Sequence, residues 1–164
     1  MNSSTERQRG RNHRSWPCKN LGELINFLEE QNPKGLNISE IAKRMGCTPQ
    51  HISALLLKDE MKLSYVEKIA RSYGHELKLY FPVWTKENPS KSKDRSFPTA
   101  GNLTGLAKYI YDSNRTVNSV STDMNKPGSI MEQAFRKGDI KISTLYEILA
   151  QLNIITQWKF EKKS

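Results

Sequence analysis

Cysteine is almost missing from this chain: Cys18 and Cys47 are the only two in 164 residues, far apart and in unlike settings. They form neither a disulfide framework nor a paired-cysteine metal knuckle, so a reducing, cytoplasmic setting is expected. Long apolar runs are missing too. Nothing approaches the roughly eighteen residues of a membrane span, and the polar, basic N-terminus lacks the apolar stretch of an export signal. No membrane partner is expected. His13, His51 and His75 share no ligand spacing with either cysteine, which excludes a zinc site. Glycine-rich phosphate loops, a Ser/His/Asp set and a carboxylate pair are also lacking. Neither an enzyme nor a bound cofactor or metal is expected. Hydrophobic residues make up 36%, enough for modest cores.

What the sequence does have is positive charge, a net +9. A balance of this size favours polyanionic partners, above all nucleic acid. Its distribution is uneven. Residues 1–20 are net +4, residues 21–82 neutral, residues 83–102 net +2 and residues 103–164 net +3. The first segment reads as a basic arm, either solvated or laid on phosphates or a minor groove. The third, VWTKENPSKSKDRSFPTAGN, is rich in Pro, Ser and Lys and reads as a linker.

The two longer segments are written in one pattern. KLSYVEKIARSYGHELKLYF (62–81) aligns with KISTLYEILAQLNIITQWKF (141–160) at an offset of 79, matching Lys62 to Lys141, Ser64 to Ser143 and Phe81 to Phe160. Further back Ile41 meets Val120, Met45 meets Met124 and Ile52 meets Met131. Asn125 replaces Gly46 and Asn153 replaces Gly74. Gly and Asn are the residues that most readily take the left-handed conformation at a helix end. The expectation is one backbone used twice.

Helix starts are marked by Asn20, Asn37 and Ser64, each three residues before a Glu, the capping-box spacing. Helices are predicted near 21–31, 38–45, 49–57 and 65–73, and again near 103–112, 117–124, 128–136 and 144–152. GHELKLYF and IITQWKF each read as one strand. A lone strand leaves backbone groups unpaired, so each needs the other, within the chain or across a homodimer formed through these strands. Trp16, Trp84 and Trp158 are expected to cover the cores.

Residues 41–56, IAKRMGCTPQHISALL, stop one helix and at once start another. Ala42 allows a close crossing, Gly46 turns the chain, Thr48 caps the next helix, Pro49 suits its first turn, and Ile52 and Leu55 pin it down. Such a helix-turn-helix holds its second helix where it can enter a major groove. Cys47 in the turn reads as a small packing residue.

Here the sequence resembles the phage-repressor/Cro-type helix-turn-helix family, also called the xenobiotic-response-element class. The resemblance rests on ISEIAKRMGCTPQHISALL followed by LSYVEKIARSYG and covers about residues 21–75. Residues 103–153 are a divergent second match: Ser121 stands where a small Ala is usual, Ala134 where a larger anchor is usual, and the turn is Asn-Lys-Pro-Gly (125–128). The resemblance implies an all-α protein with two tandem helix-turn-helix domains, 21–82 and 103–164, each of four to five helices followed by a short strand. It implies sequence-specific binding of double-stranded DNA and transcriptional regulation, in a prokaryotic cell or from a phage. The implied contacts are Thr48, Gln50, His51, Ser53 and Ala54, with Gln50 suited to adenine and Ser53 to several bases. Asn37, Lys58 and Lys62 are placed toward the phosphate backbone. The matching residues of the second copy are Ser129, Gln133, Arg136 and Lys137; Glu132 there repels phosphate but can accept from cytosine. If both copies read bases, their second helices lie about 34 Å apart over an imperfect palindrome. Two other uses of the scaffold are weighed beside this: an antitoxin-like or polymerase-binding protein-interaction module, and a DNA-packaging accessory that uses the basic arm without reading sequence.

Overall fold

The computed structural model describes residues 20–58, 61–84 and 99–163, Lys58 by its backbone alone. The basic arm except Asn20, most of the linker, Trp16 and Cys18 lie outside the described residues. Among the described residues the chain is mostly helical, with one two-stranded sheet. It divides into two units, Met1–Met61 and Lys62–Ser164. The division falls before the first strand rather than in the linker, because that strand pairs with the second one.

The first unit holds α1 (Gly22–Gln31), α2 (Ile38–Met45) and α3 (Pro49–Lys58). Helical spacing puts Leu24, Phe27 and Leu28 on one face of α1, and all three are buried. The capping site expected at Asn20 is not the one used: α1 starts after Leu21, without a side-chain cap. Asn37 does cap α2, its Oδ1 accepting from the Glu40 amide at 3.1 Å. The Glu40 carboxylate turns forward to Arg44 at 3.1 Å instead of back to the cap.

The second unit runs α4 (Leu63–Ser72), β1 (His75–Tyr80), a 3-10 turn (Gly101–Leu103), α5 (Thr104–Asp112), α6 (Val117–Asp123), α7 (Gly128–Lys137), α8 (Ile142–Leu152) and β2 (Gln157–Lys162). Leu77 and Leu79 of β1 and Trp158 of β2 point into the core. The strands pair antiparallel within the chain, from His75 opposite Lys162 to Tyr80 opposite Gln157. Leu79 therefore faces Trp158, its own match at the offset of 79. Lys62 bridges Lys141, a second pair with the same offset. A local two-fold axis pairs a residue with its own equivalent wherever the chain crosses it. Two such crossings relate α4–β1 to α8–β2.

The expected cap at Ser64 is corrected as well. Helix α4 begins at Leu63, so Ser64 lies inside it. Both its amide and its hydroxyl donate to the Asp139 carboxylate, each at 2.9 Å. An acid distant in sequence fills the place expected for Glu67. Glu67 instead accepts from Asn102 Nδ2 at 2.7 Å. Asn102 also donates to the Leu77 carbonyl at 2.9 Å and accepts from the Leu79 amide at 3.0 Å. Its side chain thus mimics a strand along the outer edge of β1 and satisfies groups that a two-stranded sheet leaves open. Trp158 donates to Tyr146 Oη at 2.8 Å, and Trp84 packs edge-on against Tyr109.

The turn positions behave as a repeated backbone requires. Gly46 and Asn125 have φ of 71° and 59°, and Gly74 and Asn153 have 77° and 57°. A third match at the offset of 79 is Gly35 at 99° and Asn114 at 67°. Among the described residues these three Asn are the non-glycine positions with positive φ.

Candidate nucleic-acid interface

Helix α3 follows α2 through a three-residue turn, and the two helices pack on each other. Gly46 in the left-handed region reverses the chain, and the Cys47 amide donates to the Ala42 carbonyl at 3.0 Å. Thr48 Oγ1 accepts from the His51 amide at 3.1 Å, so the hydroxyl caps α3 with Pro49 in its first turn. Ile52 and Leu56 are buried, which fixes the rotation of the helix; Leu55, expected as the second anchor, is only half-buried.

At 100° per residue, burial of Ile52 and Leu56 turns the opposite face outward. Ala54 lies at its centre, Gln50 and Leu57 flank it on one side, and His51 and Lys58 on the other. Thr48, Gln50 and His51 are exposed, Ser53 and Ala54 half-buried. The side chain of Lys58 lies outside the described residues. Leu57 is 50% exposed, an apolar residue outside the expected contacts. With Pro49, Gln50, Ser53 and Ala54 it lines a shallow depression. Asn37 is exposed, and its carbonyl oxygen is occupied by the cap.

The second unit repeats the arrangement with different chemistry. Thr116 and Ser119 form a reciprocal capping box on α6 at 2.9 and 3.0 Å. Ser121 is fully buried, and its hydroxyl donates to the Lys126 carbonyl at 2.8 Å. The hydroxyl that departs from the usual Ala is therefore satisfied by the unusual turn beside it. Gly128 starts α7 so close to the Asn118 side chain that a Cβ there would overlap it. Met131 and Phe135 are buried. The outward face then has Gln133 at its centre, Ser129 and Arg136 on one flank, and Ile130 and Lys137 on the other. All five are exposed, Ile130 by 64%, while Glu132 is half-buried. Lys62 belongs to this unit, exposed at its bridge to Lys141.

Each unit thus presents one helix whose outward face carries several of the expected residues. Leu57 and Ile130 are the additions. Counting around each helix from its buried pair finds both from sequence alone. Among the described residues no helix is long and apolar enough to cross a membrane. Compared with family models, with curated proteins and with solved structures, the chain matches none.

Proposed function

We propose that this chain binds duplex DNA in a sequence-specific manner and regulates transcription, as a tandem helix-turn-helix protein of the phage-repressor/Cro type acting as an intramolecular pseudo-dimer in a prokaryotic cytoplasm. The observation that carries this reading is the outward face of α3. Gln50 and His51 are exposed beside Ser53 and Ala54, on a helix anchored by Ile52 and Leu56 just after a left-handed turn. Gln50 suits the N6/N7 edge of adenine, and Ala54 suits a thymine methyl. The local two-fold in the second unit supports the pseudo-dimer, since a duplicated reader fits a pseudo-palindromic site. The +9 net charge supplies the attraction for phosphate that the neutral residues 21–82 lack on their own.

The test is selection from a random duplex pool by the full chain, followed by fluorescence anisotropy at two salt concentrations. An enriched motif bound more weakly at higher salt is the expected result. Salt-sensitive binding with no motif would replace sequence reading by the packaging role.

A protein-interaction reading rests on one observation. Leu57 is half exposed beside Pro49 and Ala54, at a depression more apolar than a phosphate-facing surface requires. It would gain if the chain showed no duplex binding and instead co-purified with a stoichiometric protein.

A further inference from the structure

Ile130 is the most exposed large apolar residue on any helix described here, at 64%. It sits near the start of α7, at the position that matches His51 of α3. The surrounding residues are not apolar. Ser129, Gln133, Arg136 and Lys137 share its outward face and are all exposed. This is not the composition of a protein-docking patch, which collects apolar neighbours. It is a polar, basic helix face with one aliphatic side chain set into it.

We infer that Ile130 contacts a thymine C5-methyl group in the major groove, so that α7 reads an A·T base pair through an apolar contact. This inference rests on the proposed duplex-DNA reading and assigns base reading to the second copy. The major groove offers one apolar feature, the thymine methyl, and it is read by apolar side chains. Gln133, one turn further along the same face, has the amide that pairs with adenine N6 and N7. Arg136 and Lys137 add the charge that holds the helix on phosphates. Met131 and Phe135 are buried and fix the rotation that turns Ile130 outward.

A consequence concerns symmetry. The outward positions of α3 carry Gln50, His51, Ala54 and Leu57, and those of α7 carry Ser129, Ile130, Gln133 and Arg136. Lys58 and Lys137 match, but the other four pairs, Gln50/Ser129, His51/Ile130, Ala54/Gln133 and Leu57/Arg136, differ in side chain. The two halves of the recognised site therefore differ in sequence, and the thymine read by Ile130 belongs to one of them alone.

The test uses the full chain and the duplex that it enriches from a random pool. That duplex is made again with each thymine replaced singly by deoxyuridine, which removes only the C5-methyl group. The expected result is a position, distinct from any thymine read by Ala54, where the replacement weakens wild-type binding by about four-fold, the worth of one buried methyl group. At that position the replacement has no effect on Ile130→Ala, and the variant binds the parent duplex more weakly by a similar factor. Thermal unfolding of Ile130→Ala confirms that this exposed substitution leaves the fold intact. If the wild type binds its selected duplex but every deoxyuridine is neutral, or every loss persists in Ile130→Ala, the inference is overturned while duplex reading stands. If no duplex is enriched at either salt concentration, the DNA reading fails and takes the inference with it.

Discussion

Leu79 pairs across the sheet with Trp158, the residue 79 positions further along the chain. Lys62 and Lys141 repeat the relationship at the starts of α4 and α8. The register also sets like against like: Lys78 faces Lys159, and Glu76 faces Glu161. Like charges directly opposite are unfavourable. Neighbours relieve them, with Tyr80 Oη donating to Glu161 at 3.0 Å and Lys78 lying 3.9 Å from Glu76. Leu79 and Trp158 are both buried, so their contact stabilises the sheet. Leu79→Ala should cost about 2–4 kcal/mol. Trp158→Phe, which keeps a ring but loses the bond to Tyr146, should cost nearer 1 kcal/mol. Urea unfolding measures both. Equal small losses would mean that the sheet is peripheral to the stability of its unit.

The left-handed positions divide into tolerant and strict. Gly46→Asn should change stability by only a few tenths of a kcal/mol, since Asn125 holds the same conformation and a Cβ at residue 46 meets nothing within 4 Å. Gly138→Ala should cost more than about 1 kcal/mol. Its φ is 69°, and a Cβ there would lie 2.5 Å from the Ala100 carbonyl oxygen. Melting temperatures of the two variants give the comparison, and a Gly138→Ala protein as stable as wild type would remove the steric argument.

Ser64 and Asp139 are joined by two hydrogen bonds, so substitutions there should be coupled. Ser64→Ala and Asp139→Asn should each destabilise by about 1–2 kcal/mol, and the double variant by less than their sum. Strict additivity in a double-mutant cycle would show that the contact contributes nothing.

Glu67 sets a pH dependence. Burial raises its carboxyl above the ordinary value, with Asp139 and Glu76 adding to the rise, while the hydrogen bond from Asn102 and the charge of Arg71 oppose it. A raised acid holds its proton to higher pH in the folded state than in the unfolded chain. Its effect on stability is therefore most favourable at low pH and worsens as pH rises from the ordinary glutamate value through the raised one. Glu67→Gln keeps an acceptor for Asn102 and removes this effect. The variant should melt higher than wild type at pH 7, and the difference should shrink as pH falls through the raised value toward 4.5, the ordinary value. A constant difference across that range would assign it to packing.

Much of this fold was legible because its signals are local. Burial of Ile41, Ala42 and Ile52 follows from spacing, although the second anchor of α3 is Leu56 and not Leu55, and the Gly/Asn exchanges at 46/125 and 74/153 mark turns that any backbone reading can find. The failures were non-local. Ser64 and Glu67 have capping-box spacing, but Asp139 and Asn102 claim them from 75 and 35 residues away. The hydroxyl of Ser121 departs from the usual Ala, and its acceptor, the Lys126 carbonyl, is supplied by the turn that follows the helix. On the candidate faces, hydrogen-bonding chemistry singles out the polar residues and says nothing of Leu57 and Ile130, whose exposure follows once the buried pair of each helix is fixed.

The central claim is that α3 reads bases, and Gln50 tests it most directly. Binding of wild type and Gln50→Ala would be measured by fluorescence anisotropy on the selected duplex and on random duplex at the same salt concentration. The account predicts a loss of about 1–3 kcal/mol on the selected duplex and little on random DNA. An equal loss on both, or none on either, would contradict it.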